Sequence, residues 1–288
     1  MQNEAYRPSP GAFQSGGGNP DHPVKRHFAV ARAGFAAQPG QMILYTVIVA
    51  VLFAGALAAA LLASSVGTRM IGDPTGGSIV QNLVLFLLVG ALPAGMLVVS
   101  MALLRGTSEL DQLFSGYRRP GPVLTIALAH LVAQQTLLFA VLSPGMWLLA
   151  KAGVQLPENA PADPEALAQH LPYLVSLMAV ALVVHTLAFS YVRARLLLAY
   201  PLAILEGRGA LNAMLESVRR TARRSHYATV LASELLFLAG FFVCGFGAFF
   251  TYGLAYLMLA AAVNESQGGP EPGREDGTPS HQNPYAAQ

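Results

Sequence analysis

An all-α membrane protein with about six transmembrane helices is the fold class this sequence predicts, and three observations predict it. Of the 288 residues 54% are hydrophobic and only 11% are charged, against roughly 25% charged in a soluble globular domain. Uncharged apolar runs recur that are long enough to cross a bilayer. Between them lie short amphipathic segments ending in arginines, the pattern of helices that lie along a membrane surface.

Residues 1–23 are rich in Gly, Pro, Ser and Asn and contain no apolar core of the kind a cleavable signal needs, so a disordered tail is expected. Residues of about 24–37 form a first interfacial helix, with Phe28, Ala31 and Phe35 on one stripe. The uncharged run 41–63 follows, ~35 Å long as a helix and sufficient for a ~30 Å hydrocarbon core. A polar link at Asp73-Pro74-Thr75-Gly76-Gly77 leads to a second span at 79–104, which Pro93 should kink.

A second interfacial helix is expected over 107–119. Leu110, Leu113, Phe114 and Tyr117 share one face, and Ser108 and Asp111 are spaced as a capping box. The third span covers about 122–150, bent or ended near Ser143-Pro144-Gly145, with His130 and Gln134 on one face a turn apart. An acidic loop carrying Glu158, Asp163 and Glu165 separates it from a fourth span at 171–200. That span is apolar apart from His185 until Arg193 and Arg195, beyond which it either continues with a kink at Pro201 or turns along the surface.

The strongest local signal is the third interfacial helix, about 209–225. Leu211, Met214, Leu215, Val218 and Ala222 recur with helical spacing, and Arg219, Arg220, Arg223 and Arg224 are their charged complement. The apolar stretch 227–263 would be ~55 Å long as one helix, more than a tilted span needs. Gly245 and Gly247 offer a turn, so two short spans at 227–243 and 246–263 are preferred to a single long one, with five spans as the alternative. Residues 264–288 form a second disordered tail.

Lys and Arg gather before the first span, in the loop after the second and before the fifth, whereas the loops after the first and third spans hold only Arg69 and Lys151. This alternation predicts cytosolic N- and C-termini. Setting 108–119 over 209–220 without gaps pairs Leu110 with Leu211, Leu113 with Met214, Phe114 with Leu215, Tyr117 with Val218, and Arg118-Arg119 with Arg219-Arg220. Three parallel units are inferred, each an inner-face amphipathic helix followed by a helical hairpin; the general tendency of membrane-entering helices to be amphipathic and basic is the other explanation.

Catalytic signatures are missing from the sequence: it contains no HExxH, P-loop or GxSxG elbow and no Cys/His metal spacing, so neither an enzyme nor a metal or cofactor is expected. The lone Cys244 rules out an intrachain disulfide. The most informative polar residue is Glu234, because an ionised carboxylate inside a span needs a partner or a raised pKa. Arg193 or Arg195 could reach it, and His130 lies at similar depth; together with Gln134 and His185 these are the intramembrane polar candidates, either for a relay or substrate site or for structural pairing. Arg118, Arg119, Arg219, Arg220, Arg223 and Arg224 are the candidate contacts to anionic lipid, or act only in fixing topology. Nucleic acid is not expected, because the basic residues lack interleaved aromatics.

The stretch LLLAYPLAILEGRGALNAMLESVRRTARR resembles a broad set of bacterial polytopic membrane proteins that includes the membrane domain fused to some glycerophosphodiester phosphodiesterases. Pro201, Gly207, Ala213, Ser217 and Arg220 match the pattern, with Met214 in place of its leucine. The resemblance covers 25–263, implies a six-span inner-membrane bundle and supplies no catalytic residue. The expected function is that of a non-enzymatic protein of the bacterial cytoplasmic membrane, contacting anionic lipid, a membrane-protein partner or a second copy of itself. A small-molecule or ion transporter built around Glu234 is the alternative.

Overall fold

A computed structural model describes residues 22–151, 164–221, 224–244 and 247–267, and every element among them is a helix. Expectations for 1–21, the centre of the acidic loop, Ala222, Arg223, Gly245 and 268–288 lie outside these residues. The chain begins with α1 (Pro23–Ala37) and α2 (Pro39–Ile71), separated at Gln38, which leaves the helical region at φ −139° and ψ 55°. Each starts with a proline in its first turn, where the missing N–H costs nothing. Gly72 closes α2 in the left-handed conformation (φ 75°), and Asp73 caps α3 (Pro74–Val89) by accepting a 3.0 Å bond from the Thr75 N–H.

Pro93 does more than kink the second span. The helix stops at Val89 and restarts as α4 (Leu92–Leu104), leaving a break at Gly90-Ala91. Three contacts hold the break open. The Tyr117 hydroxyl donates to the Leu88 carbonyl. Gly116 lies against the Ala91 carbonyl and Gly95 against the Leu113 carbonyl, too closely for a Cβ at either.

The expected interfacial helix at 107–119 is instead a 3-10 segment (Leu110–Phe114) followed by the single turn α5 (Ser115–Arg118). Its capping box is shifted by one residue: Glu109 and Gln112 bond each other's backbone. The Ser108 hydroxyl is drawn off to Gln41 Oε1 at 2.9 Å, and Asp111 pairs with Arg118 at 2.5 Å, so neither is left to cap.

Next come α6 (Pro120–Lys151), which does not end at Ser143-Pro144-Gly145 but runs through it, and α7 (Pro164–Leu196). The chain turns at Leu197-Leu198 and resumes as α8 (Ala199–Ile204), so the fourth span is interrupted before Pro201. Gly207 (φ 71°) then permits the reversal into α9 (Ala210–Arg220). Two helices of the final apolar stretch follow, α10 (Arg224–Cys244) and α11 (Gly247–Ser266).

Among the described residues four helical stretches are long and apolar enough to cross a membrane: Pro39–Met70, Thr75–Leu104, Pro120–Gly145 and Val175–Ile204. Long helices pair as antiparallel hairpins. In the last, His226 meets Ser266, Phe237 meets Tyr252 and Gly240 meets Thr251, so one index falls as the other rises. Gly67 and Gly77 allow close approach of α2 and α3, and Gly145 of α6 and α7.

The core is centred on α11. Leu257, Met258, Ala260 and Val263 are buried against α1, α2, α4 and α10, and Gly253 brings the backbone of α11 against Met42 and Thr46. By contrast α2 exposes Val51, Phe53, Leu61 and Leu62, and α7 exposes Val175, Val180 and Val183. Outward apolar faces are stable only against hydrocarbon, where van der Waals packing and hydrogen bonds, rather than expulsion of water, hold helices together.

Candidate functional site

Polar side chains gather at two levels: a layer inside the bundle, and the end where α1, the start of α10 and the last turn of α11 meet, called here the basal end.

The inner layer is built around the ion pair between Arg193 of α7 and Glu234 of α10, the contact the sequence anticipated. Both are largely shielded, with side-chain exposures of 27% and 18%. Arg195, the other candidate, turns away and donates to the Tyr191 hydroxyl at 3.0 Å, its guanidinium lying over that ring. His130 reaches the layer from α6. Its Nδ1–H donates to the Ile126 carbonyl at 3.0 Å, and its ring stacks on Tyr200 with 5.5 Å between centroids.

Tyr252 and Tyr256 of α11 complete the layer, their rings 4.8 Å apart and their hydroxyls hydrogen-bonded. Arg193 lies within electrostatic range of His130, Tyr200 and Tyr252. His130, Glu234 and Tyr256 each stand about ten residues, or ~15 Å, from the basal end of their helices, so three helices place polar groups at one depth. The phenols were missed in the sequence, where tyrosines within apolar runs pass for core aromatics. Gln134 is exposed and does not join His130. His185 is also apart, stacked on Phe189 with its Nδ1 buried and unpartnered.

At the basal end three residues in succession, Asn264, Glu265 and Ser266, take bonds from three helices. Arg105 donates to Asn264 (2.7 Å), Arg26 and His27 to Glu265 (2.6 Å from His27 Nε2), and His226 bonds Ser266 (2.6 Å). These bonds carry α11 through residues expected to be tail. His27, unmarked in the sequence, is buried, and its Nδ1 is 2.7 Å from Thr229 Oγ1. Burial, with the Arg26 charge beside it, holds its pKa below the usual histidine range although Glu265 pulls the other way. For Glu265, burial works against ionisation, but the bonds from His27 and Arg26 prevail and its pKa is lowered. An ionised carboxylate only accepts, so Nε2 carries the imidazole proton and Nδ1 accepts from the Thr229 hydroxyl.

A further cluster of polar contacts docks α9 against the break between α7 and α8. The break after α7 frees a carbonyl at Arg195 and an N–H at Leu198; the Ser217 hydroxyl donates to the first (2.7 Å) and accepts from the second (3.1 Å), and Thr221 adds a bond to the same carbonyl (3.0 Å). Ala213, fully buried, gives the small surface that lets α9 approach. Arg119 crosses over Gly207 and donates to the Ala203 carbonyl (3.2 Å).

The predicted apolar stripe of α9 is therefore not the face that docks the helix. The small residues Ala213, Ser217 and Thr221 dock the helix, Met214 is half-buried, and Leu211, Leu215 and Val218 face outward, 65%, 51% and 41% exposed. Large side chains could not reach the break, and the hydroxyls it needs lie on the opposite edge. Of the arginines, Arg118 is tied to Asp111, Arg119 to Ala203, and Arg220 to Glu216 (2.7 Å) and Glu206 (3.7 Å); Arg219 is exposed, with no ion pair among the described residues. The Arg220 hydrogen bond lowers the pKa of Glu216. The side chain of Arg224 is not among those described.

Among the described residues no group of three His, Cys, Asp or Glu side chains is placed to hold a metal ion. No protein-family model, curated protein or solved structure matches the chain.

Proposed function

We propose that this chain is a non-enzymatic, multi-pass protein of the bacterial cytoplasmic membrane that contacts anionic lipid through basic helices on the cytosolic leaflet. The observation that carries this reading is the division of α9 into a docked edge, an outward apolar edge and a charged edge. In water, Leu211, Leu215 and Val218 would be a liability; at a bilayer surface they anchor the helix. Leu110 and Phe114 of the 3-10 segment and Phe28 of α1 are also exposed. On this reading the four long apolar stretches are joined by α10 and α11 as a fifth and sixth span, with both termini cytosolic.

A three-unit architecture, inferred from the internal repeat, is part of the proposal. Gly106 and Gly207 support it: both are left-handed, at φ 74° and 71°, they correspond in the ungapped alignment, and each leads from a broken helix into a segment folded back on that helix. The test is charge reversal of Arg219, Arg220, Arg223 and Arg224. Detergent-purified protein should retain several-fold less phosphatidylglycerol than the wild type, and equal retention would reject the lipid contact.

The Arg193–Glu234 pair favours a second reading, transport of a proton or small ion through the polar layer. Glu234→Gln in proteoliposomes distinguishes the two. A transporter loses pH-driven flux, whereas a structural pair changes only stability.

A further inference from the structure

Viewed down its axis at ~100° per residue, α9 has three sides. Ala213 and Ser217, with Thr221 just past the end of the helix, dock on the α7–α8 break; Leu211, Leu215 and Val218 face outward; Asn212, Glu216 and Arg219 form the third side, which Arg208 adjoins from just before the helix. Leu215 stands at the seam between the apolar and polar sides. A depression of about 410 Å³ opens there, lined by Arg208, Asn212, Leu215, Glu216 and Arg219.

Around the axis the apolar Leu215 is followed by the Arg219 cation and then by the Asn212 amide, so a phosphate held on the polar side lies directly beside a surface that suits an acyl chain. Arg208 uses only its Nε on Glu206 (2.8 Å), which leaves the Nη atoms directed elsewhere. Arg219 makes no ion pair among the described residues. The one acid among the lining residues, Glu216, is paired with Arg220 at 2.7 Å, and the neighbouring Glu206 is shared between Arg208 and Arg220, so three arginines face two carboxylates at this end. The first N–H groups of α9 also have no side-chain cap at Gly209, and they add positive potential at the Arg208 end.

We infer that this seam binds the phosphate of one anionic phospholipid, held by Arg208, Arg219 and the Asn212 amide, with an acyl chain along Leu215 and Leu211. The inference rests on the lipid-contact reading above and gives it a single site. A free phosphate would use the arginines alone; the lipid is favoured because the apolar side adjoins them directly.

Native mass spectrometry of the full-length protein, titrated with phosphatidylglycerol or phosphatidylcholine in neutral detergent, tests it. The wild type should bind one phosphatidylglycerol in preference. The double variant Arg208→Gln/Arg219→Gln should weaken that event by about 10- to 30-fold, from two basic contacts near a lipid surface, and Leu211→Ser/Leu215→Ser should also weaken it, leaving glycerophosphate binding unchanged. Lys151→Gln, at the other end of α6, should have no effect. Circular dichroism and thermal unfolding verify that each variant is folded.

If the wild type prefers phosphatidylglycerol but the Arg208/Arg219 variant retains it, the site is overturned and the broader lipid reading stands. If the wild type shows no preference, both fall. Displacement of the lipid by millimolar inorganic phosphate, with no response to the leucine substitutions, would overturn the lipid in favour of a free anion.

Discussion

His27 has both ring nitrogens engaged, by Thr229 and Glu265, and the lowered pKa values of His27 and Glu265 make the basal end sensitive to acid. In the folded chain His27 prefers to be neutral, so its contribution is complete above the ordinary value of 6.5 and is lost as pH falls below it; Glu265, depressed from 4.5, adds a second loss at lower pH. Thermal unfolding in detergent should therefore show stability falling from pH 7.5 to 4, and His27→Ala should flatten the upper part of that decline while costing about 2 kcal/mol at neutral pH. An unchanged profile would contradict the assignment. At Ser217 the hydroxyl serves an N–H and a carbonyl that no helix satisfies, so Ser217→Ala should cost about 1–2 kcal/mol, although Ala is the better helix former; Ser217→Thr should recover part of it. Glu234→Gln leaves Arg193 without its counter-charge inside the bundle and should destabilise by about 3 kcal/mol, with the Arg193→Gln/Glu234→Gln double variant recovering some of the loss in the same unfolding assay.

Helices that are short or broken carry more of the architecture than their lengths suggest. The breaks at Gly90-Ala91 and Leu197-Leu198 expose backbone groups, and the segments that follow fold back to cover them: Tyr117 reaches the Leu88 carbonyl, and Ser217 and Thr221 the Arg195 carbonyl. Gly207 makes the second reversal possible and is overlain by Arg119, so Gly207→Ala combines a left-handed backbone with a Cβ 2.9 Å from Arg119 Nη1. It should undock α9, read as faster hydrogen exchange across 210–220 with the long helices unchanged; protection equal to wild type would show that docking does not depend on this turn. The long helices were legible in the sequence, because an uncharged run of span length leaves little alternative. The breaks were not. Pro93 signalled a disturbance, but whether a helix bends or stops depends on whether another segment satisfies the freed backbone, and that segment lies more than twenty residues away. The Arg193–Glu234 contact was legible because a carboxylate in an apolar run needs a counter-charge and few were at hand. His27 was not, since its partners Thr229 and Glu265 lie more than two hundred residues away, and Tyr252 and Tyr256 were not, since tyrosines in an apolar run look like ordinary core aromatics.

Across the whole molecule, long helices with outward apolar faces converge on α11, whose last turn is held by α1, α4 and α10. The first and last of the described helices are joined there through Arg26, His27 and Glu265, so removing α1 should loosen α11. Packing of this kind needs hydrocarbon around it, and α9 is the element through which the bundle would meet the edge of that hydrocarbon. Single spin labels along 211–219, placed on a chain with Cys244 replaced, test that position most directly in lipid nanodiscs. The account predicts that labels at 211, 215 and 218 collide with oxygen dissolved in the acyl layer, labels at 212, 216 and 219 collide with a water-soluble nickel chelate, and labels at 213 and 217 are shielded from both. Equal nickel accessibility at 211, 212, 215 and 216 would place α9 in water and contradict it.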